Sequence, residues 1–329
     1  MSFRLGGTDG VAVEAAKWAR ALVELGYAVT TVAGEGLADH VVPGLAIGAP
    51  EPPSRTEVEG ALAPADVVVV ENLCSLPLNP PAADVVGRVL RGRPAVLHHH
   101  DLPWQRPLLA YVGPPPDDRR WAHVTVNDLS RRELAERGIV ATTVHNRFDP
   151  DPRRGDRVAV RTAAGIGPDD MVVLQPTRAI PRKRVAAGLA LAEALGATFW
   201  LTGPAEEGHA PELARLIEDA RVPVVHRSVP DVADAYAAAD LVVLPSAWEG
   251  FGNPAVEAGL HGRPAAVGPY PVAAELRALG FRWADADDAS TVTLPGVEDA
   301  AHNREVVRGH LHLDALAERL SAILGDLTR

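Results

Sequence analysis

The stretch "LVVLPSAWEGFGNPAVEAG", Leu241 to Gly259, decides the reading of this chain. It opens on an apolar run of strand length with no polar face, the pattern of a parallel strand covered on both sides. A turn containing Gly250 and Gly252 follows, and then a helix-forming segment. The glycines let the backbone approach a ligand closely. Asn253 is a suitable helix cap, and Pro254 suits the first helical position. The N–H groups from Gly250 to Asn253 then point out of the turn, and such a helix mouth attracts anions, phosphate above all. Glu249 stands before the turn and Glu257 one turn into the helix, eight positions apart. Glu257 suits paired hydroxyls such as a ribose diol. Glu249 suits another hydroxylated group or a developing positive charge.

The same strand-then-helix order repeats along the chain. "MSFRL" reads as a strand and "VAVEAAKWARALVEL" as a helix with Val11, Ala15, Trp18, Leu22 and Leu25 on one face. "PADVVVVEN", "RPAVLHHHD" and "HVTVND" read as further strands, and "ADVVGRVLRG" and "LSRRELAERG" as helices. A Pro- and charge-rich stretch, "RFDPDPRRGDR" from Arg147 to Arg157, reads as a linker. The alternation restarts with "MVVLQPT" and ends with the helix "HLDALAERLSAIL". This order predicts two α/β domains, 1–150 and 151–329, each with a parallel sheet covered by helices, and ligands beyond the carboxyl ends of the strands.

Composition narrows the function. The 329 residues carry a net charge of −11, which argues against nucleic acid and strongly anionic membrane surfaces as partners. No apolar run is long enough for a spanning helix and no signal peptide is evident, so no integral membrane segment and a cytoplasmic location are expected. The single cysteine, Cys74, forms no internal disulfide and reads as a buried thiol.

Other motifs also follow strands. "LGGTDG", Leu5 to Gly10, is a glycine loop that does not match the dinucleotide fingerprint. "LQPTRAIPRKR" carries Arg178 and Lys183 between a buried strand and a helix, with Arg182 and Arg184 expected in solvent. "LHHHDLPW" ends a strand in three histidines, which invites a zinc reading. Side chains alternate along a strand, however, so His98 and His100 face one way and His99 the other, and no cysteine lies nearby. The acidic "ADADDAS", with its D-x-D pattern, reads as a solvated loop.

E-x7-E after a strand, with G-F-G-x-P inside it, closely resembles the donor site of retaining glycosyltransferases of GT-B architecture, in particular glycosyltransferase family four, the E-x7-E glycosyl transferases of group 1. The resemblance covers nearly the whole chain and is most specific in its C-terminal half. It implies two Rossmann-like, doubly wound domains facing across a cleft, an N-terminal acceptor-side domain and a C-terminal nucleotide-sugar donor domain, with the last helix near the hinge. It implies that Glu257 holds the nucleotide ribose and that Glu249, Gly250, Phe251 and Gly252 hold the transferred sugar. Asn253 and Pro254 would then open the helix facing the diphosphate.

Arg178 and Lys183 match the family's diphosphate-binding cations, with Thr177 where a glycine is usual. Gly6 and Gly7 match its N-terminal glycine loop, facing phosphate or acceptor. His100, with Asp101, matches the acceptor-side His-Asp pair. "TVHNRFDP" resembles the family's hinge motif. The implied activity is hexosyl transfer from a nucleotide-diphosphate sugar to the hydroxyl of a small-molecule or glycan acceptor. No metal and no cofactor beyond that co-substrate are expected. The alternatives are another GT-B-like enzyme, such as a sugar-nucleotide epimerase or pseudo-glycosidic synthase, and a non-catalytic sugar-nucleotide binding protein.

Overall fold

A computed structural model describes residues 1–7, 9–106, 109 and 113–327. The chain forms two compact units, Met1–Arg147 with Asp314–Arg329, and Phe148–Leu313.

The first unit contains β1 (Ser2–Leu5), α1 (Gly10–Glu24), β2 (Val32–Gly36), β3 (His40–Val41), α2 (Arg55–Leu62), β4 (Val68–Glu71), α3 (Pro80–Leu90), β5 (Ala95–His99), β6 (Trp121–Thr125), α4 (Asp128–Ala135) and β7 (Ala141–Thr143). Its strands form one sheet in the order β3-β2-β1-β4-β5-β6-β7, with parallel pairing throughout. The direction of winding reverses between β1 and β4. At such a switch point neighbouring crossovers leave to opposite faces and open a crevice at the carboxyl ends of the strands. The core beneath is built from short aliphatics, among them Val32, Leu45, Val58, Val70, Val86, Leu90 and Leu97. Cys74 lies in it, and burial pushes its thiol up to about 12, so it packs as a small apolar group.

The second unit contains α5 (Arg157–Ala164), β8 (Val172–Gln175), α6 (Val185–Ala194), β9 (Thr198–Leu201), α7 (Ala210–Glu218), β10 (Val224–His226), α8 (Val232–Ala238), β11 (Leu241–Leu244), α9 (Asn253–Leu260), β12 (Ala265–Val267), α10 (Pro271–Ala278), β13 (Ala284–Asp285) and α11 (Val297–His310). Its parallel sheet runs β10-β9-β8-β11-β12-β13, the same winding again, with the switch between β8 and β11. Every residue of β8 and β11 is buried, which is the double coverage expected for "VVLQ" and "LVVL".

Several elements differ from the sequence reading. The last helix, α12 (Ala315–Leu327), packs on α1 and belongs to the first unit, where it buries Leu316, Leu320 and Leu324. Because α1 is covered by α12 as well as by the sheet, its buried set is Ala12, Glu14, Trp18 and Ala21, and of the predicted stripe only Trp18 is fully buried. "ADADDAS" exposes its three aspartates, as expected, but is not loop throughout. Its first aspartate, Asp285, ends β13, and Asp287 pairs with Arg184 at 2.9 Å. The helix α11 escaped the reading because its sequence, "VEDAAHNREVVRGH", is mostly polar. Leu320 is 2% exposed on α12. Leu320→Ala is expected to cost about 3 kcal/mol through lost burial and a residual cavity. A urea melt in which the variant matches the wild-type midpoint refutes this packing.

Candidate functional site

In the second unit, the chain leaves β8 through Gln175 and folds into a tight turn at Pro181–Lys183. Gln175, fully buried, fixes that turn by donating from Nε2 to the Lys183 carbonyl at 2.9 Å. On the other side of the switch point the chain leaves β11 into Ser246–Gly252. The two segments join where the Ala247 N–H donates to the Arg182 carbonyl at 2.9 Å.

Glu249 is the focus of this junction. It is 7% exposed, and its Oε1 accepts from Lys183 Nζ in a short ion pair. Its Oε2 accepts from Arg182 Nη1 at 3.3 Å, and the same guanidinium donates to the Trp248 carbonyl at 3.0 Å. Burial opposes charge on Glu249, but the Lys183 and Arg182 cations overcome it and hold the carboxyl below its usual range. Burial lowers the Lys183 ammonium, with Glu249 acting the other way. Arg182, expected in solvent, is thus part of the cluster. Nothing in "IPRKR" distinguishes it from Arg184, which turns away to Asp287.

The helix mouth differs in register from the sequence reading. Gly252 caps α9, Asn253 is the first helical residue and Pro254 the second. Gly252 takes a left-handed φ of +102°, open to glycine and strained for other residues. A Cβ there would lie 2.1 Å from the Tyr270 hydroxyl, which donates to the Phe251 carbonyl at 3.4 Å. Glycine is therefore fixed here by both backbone and packing. Tyr270 was invisible to motif reading because it belongs to a different loop.

Glu257 faces Tyr236 of α8, whose hydroxyl donates to Oε2 at 2.6 Å. Burial, together with Glu257, raises the Tyr236 phenol well above its usual value, so it remains a donor. Arg178 pairs with Glu206 at 2.6 Å, outside the Glu249 cluster. Thr177, where the family usually has glycine, does not take a left-handed backbone. The structure therefore joins Lys183 to Glu249 directly and gives Arg178 and Glu257 separate partners.

In the first unit, Gly6 follows β1 with φ +77° and Gly7 comes next; Thr8 of the same loop lies outside the described residues. Asp9 caps α1 by accepting from the Ala12 N–H at 3.2 Å. Across that unit's switch point stands Glu71, the last residue of β4, which the sequence reading did not single out. Its Oε2 accepts from His98 Nδ1 at 2.8 Å and from His100 Nε2 at 2.7 Å. The expected alternation is present: His98 and His100 share Glu71, while His99 turns to Ser75 and His123. Trp18 stacks on the His98 ring at 4.0 Å. Asn72 pins the following turn by accepting the His100 and Asp101 N–H groups at 2.9 and 3.3 Å.

Burial opposes charge on Glu71, yet the flanking histidines keep its carboxyl well below the usual range. Burial likewise opposes charge on His100, and the hydrogen bond and charge of Glu71, with Glu14 and Asp101, raise it above its ordinary value. Burial keeps His98 lowered. Within the trio, positive charge is therefore favoured on His100 over His98. Its ligating atoms lie within 4.8 Å of one another, the spacing at which such residues can also take a metal ion.

These two sheets, each wound about one switch point, define the GT-B architecture, and fold comparison agrees. The Anabaena protein HepE, solved in complex with UDP and glucose, superposes with a TM-score of 0.68 at 18% identity, over 98% of this chain and 99% of that one. Residues 178–289 match the sequence model of the family Glycosyl transferases group 1. A mannosylglucosylglycerate synthase of Petrotoga mobilis is 27% identical over 270 residues, 66% of this chain and 62% of the relative. A D-inositol 3-phosphate glycosyltransferase of Mycobacterium bovis is 39% identical over 189 residues, 50% of this chain and 39% of the relative. The chain thus spans somewhat less than two thirds of the first two relatives, at 62% and 63% of their lengths. The matched residues 178–289 contain the E-x7-E stretch, and the matched family is the one that stretch resembles. Among the described residues, no helix is long and apolar enough to cross a membrane.

The Glu71–His100 pair sets a pH dependence. With a folded value raised above 6.5, His100 contributes stability that is fully present below that pH and lost as pH rises through the raised value. Glu71, depressed below 4.5, contributes above that pH and loses its contribution only in stronger acid. The stability gap between wild type and His100→Gln should therefore be widest at about pH 5.5 and shrink toward about pH 9. A gap that is flat across chemical denaturation series at these pH values refutes the ion pair.

Proposed function

We propose that this protein is a retaining, metal-independent hexosyltransferase that moves a sugar from a nucleotide-diphosphate donor to an acceptor hydroxyl. The observation that supports it most is the buried Glu249 carboxylate held by Lys183 and Arg182 beside the mouth of α9, at the β8/β11 switch point. A donor diphosphate suits that mouth, because the first turn of a helix offers unpaired N–H groups and a positive dipole end. Arriving there, the diphosphate competes with Glu249 for the Lys183 ammonium. The carboxylate so released accepts hydrogen bonds from the sugar hydroxyls, with the Gly250, Phe251 and Gly252 backbone beside it. Arg178 adds a second cation to the leaving group, Asn253 opens the helix toward it, and Glu257, oriented by Tyr236, takes the ribose diol.

In the reaction, the bond from the anomeric carbon to the diphosphate oxygen breaks and a bond to the acceptor oxygen forms on the same face. The acceptor proton leaves with the departing phosphate oxygen. The protein's share is positioning and electrostatic stabilisation of the leaving group. Gly6, Gly7 and His100 are assigned to the acceptor side by the family resemblance, and Glu71 orients the His100 ring. A UDP-sugar is the first donor to test, since HepE was solved with UDP and glucose.

Thermal shifts with UDP-, GDP-, ADP- and TDP-sugars are expected to identify a donor, because a ligand that binds only the folded form raises its melting point. With that donor, Glu249→Ala and Lys183→Ala should each lower turnover by about 100-fold, the scale of a lost transition-state contact, with circular dichroism unchanged. Wild-type turnover in both variants sinks the assignment. Activity should also survive EDTA; a loss restored by manganese rules out the metal-independent mechanism.

A further inference from the structure

A second cavity lies at the opposite end of the second unit's sheet. It has a volume of about 410 Å³ and is lined by Arg154, Arg263, Arg304 and His261, with Ala237 and Leu260 at the ends of α8 and α9. These helices finish where β11 and β12 begin, so the cavity opens at the amino ends of the strands. It is separate from the switch-point crevice at their carboxyl ends.

Its charge is unusual for a protein of net −11. Most arginines nearby are matched by acids: Arg153 by Asp231 and Asp234, and Arg157 and Arg161 by Asp240. Among the described residues, Arg154, Arg263 and Arg304 form no ion pair. Asp151, the acid on the cavity wall, is taken by Arg308 at 2.8 Å. Part of each inner guanidinium does structural work. Arg263 donates to the Tyr236 and Ala237 carbonyls at 3.0 Å each, and Arg304 donates to the Leu260 carbonyl. These contacts cap helix ends and leave the remaining donors of each fork unused. Arg154 is exposed and has no such duty.

His261 reports the resulting field. Its ring stacks on Tyr236 at 4.7 Å, and its pKa is pushed down to about 4 by burial and by Arg304, with Arg263 and Arg153 adding to this and Asp231 opposing. The Arg304 and Arg263 charges thus act on the ring at the cavity wall.

We infer that this cavity is a binding site for a small phosphate-bearing anion, held by the guanidinium forks of Arg154, Arg263 and Arg304. Several converging forks suit a multivalent phosphate better than a point charge does, and the volume exceeds that of a single phosphate group. The site stands independently of the transferase reading.

The test uses inorganic pyrophosphate and the ring protons of His261, assigned by comparison with His261→Gln and followed by NMR across pH at constant ionic strength. An anion in the cavity offsets the field of the arginines, so the His261 midpoint should rise by about one unit in saturating pyrophosphate. Arg154→Gln and Arg304→Gln should each weaken this response about tenfold, the usual scale for a lost charge-assisted hydrogen bond. Arg154→Gln removes an exposed side chain without a structural contact, so it remains informative should Arg304→Gln fail to fold. Arg178→Ala, at the proposed donor site, should leave the response intact. A midpoint that stays near 4 with pyrophosphate present overturns the site, as does a response that survives Arg154→Gln unchanged or disappears in Arg178→Ala.

Discussion

A parallel strand covered on both faces leaves little room for polar chemistry except at its ends, and this constraint organises the molecule. All four residues of β11 and all four of β8 are buried, so a group that must meet a ligand is placed at or beyond the carboxyl ends of the strands. The winding of each sheet reverses once, between β1 and β4 and between β8 and β11, and crossovers diverge there. The polar side chains gather at these two places: Lys183, Arg182 and Glu249 at one, Glu71 with His98 and His100 at the other. Burial then sharpens what they do. A carboxylate removed from water needs cations or hydrogen-bond donors to remain ionised, and both Glu249 and Glu71 have them.

The fold was legible because its signals are local. Runs such as "LVVLP" and "MVVLQ" announce buried parallel strands, and glycines after helices announce their ends. Elements without such signals were missed. The helix α11 is too polar to show a stripe, although it buries Ala300, Asn303, Val306 and Val307. The helix α2 did carry a readable sign, since Ser54 and Glu57 form a capping box at its start.

The candidate site was only half legible, for a physical reason. The motif residues lie on the segments that bear them, but their partners come from elsewhere in the chain. Glu71 stands 27 positions before His98, Tyr236 stands 21 before Glu257, and Arg178 finds Glu206 28 positions away. No spacing rule spans such distances, because they are set by which strands become neighbours. The same holds for Gly252. Its conformational freedom could be expected from a turn, but the close approach of Tyr270 could not.

The two acids of the E-x7-E motif end in opposite electrostatic settings, and the difference is informative. Glu249 is buried among cations, so its charge is already neutralised, and it can engage a ligand only if something else draws Lys183 and Arg182 away. An anion is the species able to do so. Glu257 accepts from a phenol and has further acceptor capacity for hydroxyl donors. In the proposed reaction, one acid is thus gated by the arrival of negative charge while the other is open to a diol. Under the proposed function, a ligand carrying both features, an anionic link between two polyhydroxylated parts, satisfies the pair together, whereas a simple sugar or a lone phosphate satisfies only one of them. That asymmetry follows from whether each glutamate's nearest neighbour is an ammonium or a phenol.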